Sequence, residues 1–109
     1  MEVTIKGKKH QLNFGVGFVR KLDQMYGMAN TAGFNLGLAL TKAIPALRSY
    51  DPAVLAEVIQ CACDTSVSLA DVDALLDSPD TDIERIFDDV LKELSEANAV
   101  KLAVKKLKG

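Results

Sequence analysis

The segment FNLGLALTKAIPALRSY, residues 34–50, constrains this chain more than any other. Wound as a helix it is apolar on nearly every side: Leu36, Leu40, Ile44 and Leu47 form one stripe, and Phe34, Leu38 and Ala39 fill much of the remainder. A helix without a broad polar side needs neighbours all round. Those neighbours must come from the rest of the 109 residues or from a partner. Pro45 has no amide to donate, so a kink or a break is expected near Thr41, four residues earlier.

The rest of the chain reads as such neighbours. EVTIK alternates with Val3 and Ile5 on one face, HQLNF places Leu12 and Phe14 likewise, and GKK between them supplies the turn of a hairpin. Gly15 and Gly17 release the strand. Phe18, Val19, Leu22, Met25 and Tyr26 then fall at helical spacing, with Gly27 placed for a left-handed C-cap. MANTAGFN, residues 28–35, carries turn residues without periodicity and is expected to be a loop. After the apolar segment, Asp51 and Pro52 are the N-cap and first residue of a helix whose stripe is Val54, Leu55, Val58, Ile59 and Ala62. Ser68 caps a short helix carrying Leu69, Val72, Leu75 and Leu76. The clearest helix follows, capped by Asp80 or Thr81, with Ile83, Ile86, Phe87, Val90, Leu91 and Leu94 at i, i+3, i+4 spacing. ANAVKLAVKKLKG either extends it or forms a last turn.

A two-stranded hairpin is marginal alone, so its apolar face must lie on helices. The expected fold is α+β and predominantly α, with an N-terminal β-hairpin (1–14) packed on a compact bundle of about five helices (15–100). Residues 101–109 form a lysine-rich end expected to fray, and the whole of 1–109 fits one domain.

Composition limits the function classes. Apolar residues make up 49% and charged residues 26%, which suits a folded, soluble domain. The start lacks the basic cap and apolar run of a signal peptide, and residues 34–47 are interrupted by Asn35, Lys42 and Pro45, so neither export nor membrane spanning is expected. Cys61 and Cys63 are too close in sequence to staple distant segments, and a reducing cytoplasm suits them. As metal ligands they would point about 200° apart on a helix, and His10 is the sole histidine; small buried hydrophobes is the simpler reading. The acids of DVDALLDSPDTDIE match no register of a calcium loop. No nucleophile, base and orienting group can be assembled, and GVG at 15–17 lacks the rest of a dinucleotide-binding unit, so no cofactor and no enzymatic activity are expected.

Charge is uneven beneath a net of −2. Residues 1–50 carry seven bases against Glu2 and Asp23, Asp71 to Glu96 carry ten acids against Arg85 and Lys92, and the last thirteen residues add Lys101, Lys105, Lys106 and Lys108. Such alternation suits self-association or a charged partner, and equally suits solvated helix faces. Nucleic acid is not the expected partner, because interleaved aromatics and an overall basic balance are both missing.

Taken together, VTIKGKKHQLNFGVGFVRKLDQMYG, GLALTKAIPAL, DPAVLAEVIQCA, SLADVDALLD and DIERIFDDVLKEL resemble the small tail assembly chaperones of long-tailed phages and prophages, particularly those of Gram-positive hosts. The resemblance spans nearly the whole chain. It implies a non-enzymatic protein of the bacterial host cytoplasm that binds the tape measure protein, keeps it soluble while tube subunits assemble around it, and is absent from the finished virion. The tail tube protein, further copies of the chain and a longer frameshifted form of it are the other partners it implies. On that reading Leu36, Leu40, Ile44 and Leu47 would serve a partner or self-association, with an ordinary buried helix as the alternative, and Lys101, Lys105, Lys106 and Lys108 would meet acidic surfaces. A virion structural or head-tail joining subunit is the second reading, and a small DNA-binding regulator the third.

Overall fold

The computed structural model describes residues 1–27 and 38–101. Among these, two strands, β1 (Glu2–Ile5) and β2 (Lys8–Gln11), precede five helices: α1 (Val16–Met25), α2 (Leu38–Arg48), α3 (Pro52–Ala62), α4 (Leu69–Asp77) and α5 (Ile83–Glu96). The fold is α+β and predominantly α, as expected. The loop expected at 28–35 and the fraying end lie outside the described residues, apart from Lys101.

β1 and β2 pair antiparallel, but the turn is Lys6–Gly7 rather than the three residues GKK. Both turn residues are left-handed (φ 53° and 74°), the two-residue geometry whose twist matches a hairpin, and Gly7 supplies one of them without strain. The shorter turn moves the partners: Val3 faces His10 and Ile5 faces Lys8. His10 therefore joins the inward face and is buried, with Nδ1 2.8 Å from the Thr65 hydroxyl. Leu12 and Phe14 do point inward, as their alternation indicates, but from beyond the end of β2. There the chain is sewn to the end of α3. Leu12 bridges Cys63, the Asn13 amide donates to the Ala62 carbonyl (2.8 Å), and the Asp64 amide donates to the Gln11 carbonyl (2.9 Å).

α3 is the central helix, packed against α1, α2 and α4. Asp51 caps it by accepting from the amides of Ala53 (3.0 Å) and Val54 (3.3 Å), and Pro52 occupies the first turn, where its missing amide costs nothing. Ser68 caps α4 as expected, accepting from the Asp71 amide at 3.1 Å. The cap of α5 is Asp82, not Asp80 or Thr81; it accepts from the Arg85 amide at 3.2 Å. Thr81 instead donates its hydroxyl to the Leu75 carbonyl (2.7 Å) and so ties the connecting turn back to α4. Phe87, Val90 and Leu94 are the buried side of α5. Beyond it a turn carries Val100 into the core, fully buried.

α2 runs unbroken through Pro45, so the expected split does not occur. Pro45 and Thr41 are both exposed and one helical turn apart, which leaves the unbonded Thr41 carbonyl on the side open to water. Ala39, Leu40, Ala43, Ile44 and Leu47 face the core. Full burial of each larger side chain is worth about 1.5–3 kcal/mol, enough to outweigh one lost backbone bond on a wet face. The helix ends at Arg48, and the chain turns away at Tyr50, where φ is 59°. The Tyr50 amide bonds the Leu47 carbonyl (3.1 Å) and the Asp51 amide bonds the Ala46 carbonyl (3.0 Å), the pattern of a Schellman ending with tyrosine where glycine is usual.

Candidate interaction surface

The apolar stripe of α2, from which partner contacts were expected, faces inward. Leu40, Ile44 and Leu47 are exposed by 1%, 1% and 0%. They are enclosed by the elements that pack on α2, namely α1, α3 and α5. A partner reaches them only if α2 leaves the core. Leu36, Lys105, Lys106 and Lys108 lie outside the described residues, and Lys101 is exposed just past the turn that buries Val100.

What sequence patterning missed is a set of polar anchors beneath the surface. Asp23, on the inward side of α1, is buried and accepts from the Ala39 amide at 3.0 Å, holding the first turn of α2. Its carboxylate also complements the positive end of that helix. A carboxylate in the register of an apolar stripe (Val19, Leu22, Tyr26) was the available signal. Tyr26 donates its hydroxyl to Glu57 Oε1 (2.9 Å), joining the end of α1 to α3; burial first, then that carboxylate, push the phenol pKa well above its ordinary value.

The outer face is strongly charged. Asp73, Asp77, Asp80, Glu84, Asp88 and Glu96 are exposed on and between α4 and α5, while Lys8, Lys9, Arg20, Lys21, Lys42 and Arg48 are exposed on the hairpin, α1 and α2. Lys6 reaches across to Asp71 (3.1 Å) and holds that carboxyl below its usual pKa. Tyr50, half exposed, stacks edge-on against Phe87 (centroids 5.1 Å apart, 79°) with its hydroxyl at the edge of hydrogen-bond range from Asp88 (3.5 Å). The nearby Asp88 carboxylate raises its pKa.

Among the described residues, grooves open on this surface in at least three places. One of about 530 Å³ separates α1 from the end of α3 and is lined in part by Met25, Cys61 and Cys63. Both cysteines border it because α3 stops at Ala62: Cys63 has left the helix (φ −59°, ψ 135°), so a 200° separation does not apply. Burial pushes the Cys61 thiol up to about 11, only partly opposed by Lys21, and raises Cys63 in the same way. Both are poor nucleophiles at neutral pH. A second groove, of about 550 Å³, lies between the segment after β2 and the end of α5. The third, of about 270 Å³, runs beside β1.

Among the described residues no three His, Cys, Asp or Glu side chains are grouped to hold a metal ion. His10 is spent on Thr65, with Asp64 3.9 Å away, beneath the hairpin rather than in an open cleft. No helix of the described residues is long and apolar enough to cross a membrane. The surface offers acids, bases, short apolar floors and strand edge, which are the means of holding a protein partner.

No curated protein and no solved structure matches the chain. A family model described as "Phage tail assembly chaperone protein, TAC" matches residues 2–108, from the hairpin through all five helices, and the chain belongs to that family.

Proposed function

We propose that this protein binds the tape measure protein during phage tail assembly, keeps it soluble, and promotes assembly of the tail tube around it, acting in the host cytoplasm without catalysis and without remaining in the virion. The observation that carries the reading is membership of the tail assembly chaperone family over residues 2–108. The charged surface supports it: a chaperone must release its client, and contacts between exposed charges are individually weak and reversible.

The client contacts follow from burial. Leu40, Ile44 and Leu47 act in the chaperone mainly by holding the scaffold, and would touch a client or a further copy only in a state with α2 displaced. Lys101 and the lysines after it supply a basic end for acidic surfaces, whether on the client, on the tail tube protein or on another copy. Deleting residues 101–109 is expected to weaken client binding and to flatten its salt dependence.

The test is coexpression with the tape measure protein encoded nearest to this chain. The client is expected to become soluble and to co-elute with the chaperone. A client that stays insoluble while this chain alone joins tubes or particles would overturn the reading.

A further inference from the structure

The two edges of the hairpin differ. At its Gln11 end β2 has a neighbour on its far side, residues 62–64 of the α3 exit. β1 has no such backbone partner among the described residues. The Leu12 amide donates to the Met1 carbonyl (2.9 Å), which fixes the alternation of the antiparallel ladder. Met1, Val3 and Ile5 turn their backbone groups to β2, and Glu2 and Thr4 turn theirs away. Among the described residues no backbone group pairs with those of Glu2 and Thr4 on that side.

Beside this edge runs the groove of about 270 Å³, walled by β1 on one side and by Leu75, Asp82, Arg85, Ile86 and Asp89 on the other. Leu75 and Ile86 are half-buried and form its apolar floor. Arg85 lies 3.9 Å from Asp89, and among the described residues no basic side chain pairs with Glu2 or Asp82, so the rim of the groove is negative. The groove combines unpaired strand donors and acceptors, an apolar floor and a negative rim.

We propose that this groove takes an extended, basic segment of the client protein, which pairs with β1 as a third strand. Such a strand places alternate side chains on the side of Val3 and Ile5, over Leu75 and Ile86, and the intervening ones on the side of Glu2. The occupant is therefore apolar at every second position with lysine or arginine between. Four paired residues span about 13 Å at the usual rise per residue, the length of β1. A client helix would leave the Glu2 and Thr4 groups unpaired, because a helix has no backbone bonds to offer along its side. A third strand also relieves the marginal stability of a two-stranded sheet. The proposal deepens the chaperone reading and rests on it for the identity of the occupant.

The test uses the full chain and a synthetic peptide of about ten residues alternating valine and lysine, titrated at moderate salt while backbone amides are followed by NMR hydrogen exchange. Binding is expected to protect the amides of Glu2 and Thr4, and a peptide N-methylated at alternate positions is expected to bind at least tenfold more weakly. Thr4→Pro removes an outward amide that the hairpin does not use, so the variant should melt as the parent does yet lose the peptide. Glu2→Lys should weaken the lysine peptide and favour its glutamate counterpart. Binding without protection of those amides, or equal binding of the N-methylated peptide, overturns strand addition. Protection that rises with protein concentration alone assigns the edge to a second copy and overturns the client as occupant. If the tape measure protein co-elutes equally with the parent and with Thr4→Pro, the groove proposal falls and the chaperone reading stands. If the peptide pairs with β1 but coexpression rescues no client, the chaperone reading falls and the groove keeps its chemistry.

Discussion

α2 and α5 pack against each other, and each turns a buried stripe to the same core, yet they are held by different means. α5 brings its own support: Asp82 caps it, Glu84 sits in its first turn, and its opposite face carries acids in water. α2 has no acid in its first turn, contains a proline, and takes its anchor from Asp23 on a different helix. The contrast teaches that α5 would be recognisable as a helix in many settings, whereas α2 is a helix because of what surrounds it. Propensity describes the first and tertiary packing the second.

Truncation of the α2 stripe should break this arrangement most severely. Leu40→Ala is expected to cost about 2–5 kcal/mol, seen as a lower urea midpoint, since the site is enclosed by three helices and cannot collapse freely. A loss under about 1 kcal/mol would mean that burial does not hold α2. Pro45→Ala should move the other way, restoring a donor to the Thr41 carbonyl and adding up to about 3 kcal/mol of stability, the interior cost of proline, seen as a higher urea midpoint. An unchanged midpoint would show that water already satisfies that carbonyl fully.

The two aspartate anchors sharpen the comparison further. Asp23→Ala leaves a buried amide without its acceptor and should cost about 1–3 kcal/mol, while Asp82→Ala at the exposed start of α5 should cost about 1 kcal/mol, because water takes its place. Equal losses would remove the distinction between a helix held from outside and one held by itself. The smallest effect concerns Cys61. Its thiol is raised in the folded state, so the stability it contributes is complete below the ordinary thiol pKa and is lost as pH rises through about 11. Cys61→Ala should flatten the alkaline fall in melting temperature, and in the parent both thiols should alkylate slowly at pH 8.

Much of this was legible in the residues themselves. Asp51-Pro52, Ser68 and the stripe of α5 state their helices locally, because capping and periodicity act within a few positions. The hairpin was legible but its register was not: GKK and KG both make credible turns, and the choice depends on whether His10 can be buried, which requires Thr65 from a distant segment. Of the kink or break expected from Pro45, the break does not occur for a similar reason, since the packing around α2 is set by α1, α3 and α5. The apolar stripe through Leu40, Ile44 and Leu47 left core and interface open, and these three residues lie in the core. The open edge of β1 could not be read at all, because an edge is a property of what lies beside a strand.

The seam between the hairpin and the end of α3 bears on how the chain reaches this fold. His10 and Thr65 are 55 positions apart, and α1, α2 and α3 all lie within the loop that their contact closes. α2 and α3, in contrast, meet across residues 49–51 alone. Contacts across a long loop return nothing until its closure entropy has been met. Refolding should therefore assemble the α2–α3 pair early and dock the hairpin late. In a chevron plot, shortening Leu12 should then quicken unfolding far more than it slows folding, and shortening Leu47 should do the reverse.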